Sequence, residues 1–175
     1  MKYLHKITLI STLCMALSVS TTPTAYGVGE YVGANIGQAT RKNQGNTNQT
    51  DIGYKLYGGV HTTGPFYAEL SYVNLGTYFD DEYTGFGGYL LGNLPVNTRL
   101  SFLAKAGLFS WDIQDNTSNV SITGTDLAYG FGGTYILLSG YTIRVEWEHF
   151  TDVGKINSNQ GHDMTLVSIG LIVKF

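Results

Sequence analysis

The sequence of 175 residues predicts an all-β fold, an eight-stranded antiparallel up-and-down transmembrane β-barrel, on three observations. Eight segments alternate apolar with polar or small side chains, which is the period of an extended strand. The connections between them alternate between long and short. Charged residues share one strand face with glycines. The chain carries 23 Gly, 13 Tyr and only 3 Pro, and its 13% charged residues are about half the share of an average domain.

The N-terminus comes first. Met1 to Lys6 is short and basic, and it runs into the apolar segment Ile7 to Leu17 before small and polar residues appear at Ser18 to Thr24. This pattern predicts a secretory signal peptide over residues 1–25, cleaved between 20 and 25 and too short to act as a spanning helix. Cys14 lies inside the apolar segment and follows Leu13, where a lipoprotein signal carries a small residue. Residues 26–175, the expected barrel domain, contain no cysteine, so neither disulfides nor thiol chemistry is expected. Removing Lys2 and Lys6 from 10 basic residues leaves 8 against 13 acidic ones, a net charge of −5. No basic patch points to nucleic acid. No later run approaches the roughly 20 apolar residues of a membrane helix, so any crossing falls to strands.

The strands are expected at Glu30–Ala39, Asp51–His61, Phe66–Leu75, Tyr83–Leu94, Arg99–Ser110, Thr125–Leu138, Tyr141–Phe150 and Asp163–Phe175. Each suits the about 9–11 residues of a tilted membrane strand. The connections Thr40–Thr50, Gly76–Glu82, Trp111–Gly124 and Thr151–His162 are long, whereas Thr62–Pro65, Pro95–Thr98 and Ser139–Gly140 are short. Long loops outside the cell and short turns in the periplasm are the layout of an outer-membrane barrel. The fourth strand has apolar residues on both parities across Gly85–Gly92, which predicts a bulge or register slip there.

Which face is inside follows from glycine. In the seventh strand Ile143, Val145 and Trp147 alternate with Arg144, Glu146 and Glu148, and in the second Tyr54, Leu56 and Val60 alternate with Gly53, Lys55 and Gly59. A soluble barrel could turn such charges to water. An eight-stranded barrel, however, has an interior barely wide enough for side chains, and Gly33, Gly37, Gly53, Gly59, Gly107, Gly132 and Gly170 all share the charged face. Glycines on a wet outer face would weaken strands without a packing reason. The charged face is therefore inside, and the apolar face meets lipid, with Tyr54, Tyr72, Tyr141 and Trp147 as candidates for interfacial girdles.

Two sets of residues carry a family resemblance. Ser168, Gly170, Val173 and Phe175 resemble the C-terminal assembly signal of bacterial outer-membrane barrels, which the insertion machinery reads before the strand closes on the first. Glu30-Tyr-Val-Gly-Ala-Asn-Ile-Gly37 and Ala68-Glu-Leu-Ser-Tyr-Val-Asn-Leu-Gly76 resemble the first and third strands of the OmpA transmembrane domain. Pro95 to Trp111 and Arg144-Val-Glu-Trp-Glu148 match its fifth and seventh. The resemblance implies a stand-alone barrel of that type without the peptidoglycan-binding domain of larger members. It also implies lumenal ion pairs that block passage: Glu69 with Arg144, Lys105 as an alternate partner, and Glu146 as an inner acid. Leu91 stands where the family has a lumenal lysine and Thr134 near an expected acid, which implies a thinner network. Lys55, Lys105, Arg144 and Lys174 against Glu69, Asp126, Glu146 and Glu148 give four charges of each sign.

Catalysis has one candidate. His149, Thr151 and Asp163 resemble in spacing the histidine, serine and acid of lipid A deacylases, but threonine is the bulkier nucleophile, and a rim histidine is the favoured reading. No cofactor, no metal site and no catalytic residue is expected, and Asp80-Asp81-Glu82 reads as a solvated loop. The expected role is structural or interactive in the outer membrane of a Gram-negative cell, as a monomer. The expected partners are lipid, lipopolysaccharide, the barrel assembly machinery, and host, phage or bacterial surfaces met through the loops. A narrow diffusion channel is the runner-up and a lipid A enzyme the third.

Overall fold

A computed structural model describes residues 29–42, 48–62, 64–79, 81–115, 121–154 and 161–175. The expected signal peptide and the centres of three expected loops lie outside the described residues. Eight strands pair antiparallel in chain order: β1 (Glu30–Arg41), β2 (Gln49–His61), β3 (Phe66–Tyr78), β4 (Asp81–Pro95), β5 (Leu100–Asp115), β6 (Ser121–Leu138), β7 (Tyr141–Val153) and β8 (His162–Lys174). They close into a barrel as β8 runs against β1 in unbroken register from Tyr31↔Lys174 to Arg41↔Met164. Closure satisfies the backbone without leaving a sheet edge in lipid.

Alternation sorts the side chains as the glycines require. Ile36, Leu70, Phe86, Leu90, Phe102 and Phe131 are exposed toward lipid, while Lys55, Glu69, Lys105 and Arg144 are buried inside. A Cβ at Gly33 would strike the ring of Tyr57, and one at Gly59 the ring of Tyr31. At Gly37, Gly107, Gly132 and Gly170 it would strike the main chain of the adjacent strand. The outward-facing Gly58, Gly88 and Gly133 meet nothing closer than 3.6 Å. The lumenal glycines thus make room for large neighbours.

Two expectations need correction. The expected slip in the fourth strand is absent, because β4 pairs with β5 without a break from Asp81↔Asp115 to Pro95↔Ser101. Its two-sided apolarity has another cause: Phe86 and Leu90 face lipid while Tyr89 and Leu91 pack in the lumen. Register shifts fall instead at Asn74/Thr77, Ile136/Leu138 and Phe150/Val153. The extracellular ends also run further than expected. The expected Gly76–Glu82 loop shortens, as β3 runs on to Tyr78 and β4 begins at Asp81, with Phe79 at φ 51°, and Trp111 to Asp115 and Ser121 to Gly124 belong to strands. Alternation continues there because Trp111 and Ile113 pack into the barrel, which fixes the strand beyond membrane length.

That packing divides the lumen. Toward the extracellular end, Val73, Leu75, Phe109, Trp111, Phe150, Met164 and Leu166 form an apolar cluster, none more than 1% exposed. The ring centroids of Phe109 and Phe150 lie 4.6 Å apart at its centre. Charged residues fill the layer beneath it.

Candidate functional site

The charged layer draws on four strands. Lys55 of β2, Glu69 of β3 and Lys105 of β5 point inward, as do Arg144, Glu146 and Glu148, which occupy every second position of β7. All six are at most 4% exposed. Arg144 reaches Glu69 and Glu146, each at 2.5 Å. Lys55 contacts Glu146 and lies 2.8 Å from Glu148. Lys105 lies 2.5 Å from Glu148, 3.2 Å from Glu146 and 3.6 Å from Glu69. Three cations face three carboxylates, and every charge has at least two opposite partners. Such balance is required where an uncompensated buried charge costs several kcal/mol.

Neutral groups hold the network from the sides. Tyr31 donates its hydroxyl to Glu69 at 2.8 Å. Tyr57 donates to Asn35 at 2.9 Å, and the Asn35 amide donates in turn to Ser168 at 3.1 Å and Glu146 at 3.3 Å. Lys55 and Arg144 each sit 4.7 Å from the Tyr57 ring, and Lys105 sits 4.5 Å from that of Tyr89. These ring faces add cation–π attraction in a desolvated setting. Sequence reasoning missed Tyr31, Tyr57 and Tyr89 as partners, although all three lie on the lumenal parity. On the periplasmic side of Arg144 lies a cavity of about 40 Å³, bordered by Tyr67, Asn93 and Thr142, room for a water or two.

The expected count of four charges of each sign is corrected to three. Asp126 lies outside the layer and accepts from the Trp111 indole at 2.7 Å. Lys174 is exposed, since β8 has reached the periplasmic mouth. Lys105 lies closer to Glu148 than to Glu69, the partner expected for it. At the extracellular mouth, burial and then Arg41 hold the His162 imidazole below its usual range.

Ser168 and Gly170 face the lumen, Gly170 against the main chain of Ala34 and Asn35. Val173 pairs with Val32 on the lipid face. Phe175 is exposed, and its N–H donates to the Glu30 carbonyl at 3.0 Å.

Outside the barrel, His149 stacks on Trp147 with ring centroids 5.8 Å apart, and its Nε2 lies 3.8 Å from Asp163. Thr151 does not join them, because its hydroxyl donates to the Leu127 carbonyl at 2.8 Å. Among the described residues no group of three or more His, Cys, Asp or Glu side chains could hold a metal.

Comparison with known proteins gives a family. The model of the outer membrane protein beta-barrel domain matches residues 9–175. Neisserial surface protein A is similar in structure with a TM-score of 0.72 at 15% identity, covering 83% of this chain and 97% of that one. Ail, the attachment invasion locus protein of Yersinia pestis, has a TM-score of 0.59 at 15% identity, covering 85% and 99%. The outer membrane enzyme PagL has a TM-score of 0.50 at 13% identity, covering 82% and 98%. No curated protein matches the sequence.

Proposed function

Since the chain belongs to the outer membrane protein beta-barrel domain family and resides in the outer membrane, we propose that it acts through its surface and not through its lumen. One observation carries this reading: two unlike layers close the barrel in series, one of ion pairs and one of apolar side chains. A solute would have to break charges apart and then cross a dry cluster. The role is structural or interactive, and the extracellular strands and loops meet host, phage or bacterial surfaces. Lipopolysaccharide surrounds the outer leaflet face, and the protein is a monomer. The assembly machinery reads Ser168, Gly170, Val173 and Phe175 during insertion. Surface roles exist on this fold, as the name of Ail states for that protein, but the fold alone does not choose among roles.

We read the barrel as non-catalytic. Thr151 is engaged with the main chain and is not aimed at His149, and a nucleophile needs its base within hydrogen-bond reach. Incubation with lipopolysaccharide followed by mass spectrometry should show no acyl chain lost, and loss of one would overturn this part. For the closed lumen the measurement is conductance in planar bilayers, with an unheated gel to establish that the barrel is folded. The expected trace is flat, and steady ion current through folded protein would sink the reading.

A further inference from the structure

The charged layer has one unfinished contact. Arg144 commits its Nη1 to Glu69 and its Nη2 to Glu146, each at 2.5 Å. Its Nε is buried and has no partner among the described residues. Directly across from Arg144 on β6 stands Thr134, which carries no charge. A donor of a charged group left unmade in a buried setting is costly, and Arg144 is only 1% exposed.

Arg144 also borders the periplasmic cavity of about 40 Å³. Polar side chains reach that space from four strands: Asn93 of β4, Thr134 of β6, Thr142 of β7 beside Arg144, and Lys174 of β8. Two of the bordering residues are cations, and among the described residues that border it none is a carboxylate. Glu69 is engaged by Arg144 and by the Tyr31 hydroxyl at 2.8 Å, and it does not border the space. The three cations and three carboxylates of the central layer already balance, so Lys174 adds a positive charge at the mouth that no ion pair offsets among the described residues.

The chemistry of the border selects the occupant. The Arg144 Nε–H and the Lys174 ammonium donate and never accept, which favours a species that only accepts. The Asn93 amide is unpartnered at its buried Oδ1, and a half-turn of the side chain offers its NH2 group instead. The volume suits a species of one or two heavy atoms and bars a sugar, a nucleotide or a peptide. We infer that the periplasmic vestibule binds one small monovalent anion of chloride size, which accepts from the Arg144 Nε–H and takes the place of the carboxylate that Thr134 does not supply. A charge-assisted hydrogen bond of this kind is among the stronger ones. The ion enters past Lys174 and returns the same way, because the ion-pair layer and the apolar cluster lie beyond it. It is a dead-end site and not a step of a pore.

The probes are chloride and bromide, with the folded protein held in phosphatidylcholine nanodiscs. Chloride NMR should show a saturable excess line width over empty nanodiscs, which bromide displaces. Lys174→Gln, at the exposed lip, should weaken binding roughly threefold. Thr134→Asp places a carboxylate across from Arg144 and should abolish binding, whereas the neutral Thr134→Asn should keep it. Crystals grown in bromide should show an anomalous peak beside the Arg144 Nε. No saturable broadening, wild-type binding by Thr134→Asp, or bromide peaks with none at Arg144 would each overturn the inference. A peak at Arg144 without saturable broadening in solution would mark an adventitious ion only and overturn it as well. Should Thr134→Asp fail to give a compact barrel on an unheated gel, Lys174→Gln decides, and unchanged affinity there overturns the site. None of these readouts involves attachment through the loops, so this inference and the surface reading fail separately.

Discussion

The two lumenal layers do the same job by opposite means. In the charged layer, six buried side chains are held by their complementarity, so removing one leaves its partners uncompensated. In the apolar layer, Phe109, Phe150, Met164 and Leu166 are held by contact, so removing one leaves a hole that its neighbours partly fill. The first layer is intolerant of any change in charge, and the second tolerates changes of shape. Water and ions must defeat both, since neither layer depends on the other for its cohesion.

The largest effect is expected at Glu146, which faces all three cations. Glu146→Ala should lower stability by about 3–5 kcal/mol, read as a shift in the urea midpoint of the barrel in lipid. Met164→Ala in the apolar layer should cost about 2–5 kcal/mol, and a loss equal to or above that of Glu146→Ala would break the distinction. Conductance sharpens it further. Glu69→Ala alone should leave the barrel closed, because the apolar layer still seals it. Adding Phe109→Ala and Phe150→Ala should then produce channel openings in planar bilayers. Current from Glu69→Ala alone would show that the charged layer is the only seal. Among the glycines, Gly107→Ala should destabilise by roughly 1–3 kcal/mol through its clash with β4. Gly88→Ala, whose added Cβ would face lipid and meet Leu70 at an ordinary 3.7 Å, should stay within about 0.5 kcal/mol.

Much of this was legible in the sequence, and the reason is periodicity. A two-residue repeat assigns every side chain to lumen or lipid once one anchor is known, and the glycines beside Lys55, Lys105 and Arg144 supplied that anchor. All six charges of the central layer could be placed on the correct face in this way. What was not legible has two causes. The outer end of the apolar layer reads as ordinary loop sequence, since Trp111 to Ile113 and Tyr78 to Tyr83 show too few repeats to declare a strand, although Val73, Leu75, Phe109, Phe150, Met164 and Leu166 fall within the expected strands. The side-on partners Tyr31, Tyr57 and Tyr89 depend on which strands curve toward each other across the lumen. No spacing along the chain records that. For the same reason Asp126 and Lys174 were assigned to a layer from which their height along the barrel excludes them.

Three of the six central charges sit on β7, and apart from the Arg144–Glu146 contact along that strand their partners are spread over β2, β3 and β5. The partners on other strands are gathered around β7 only by the curvature of the wall, so those inter-strand pairs depend on it. A one-residue slip of β7 would turn Arg144, Glu146 and Glu148 together onto the lipid face. Arginine alone costs about 2–4 kcal/mol at mid-bilayer. The layer that fills the lumen thereby also favours the observed register of β7 over its one-residue slip.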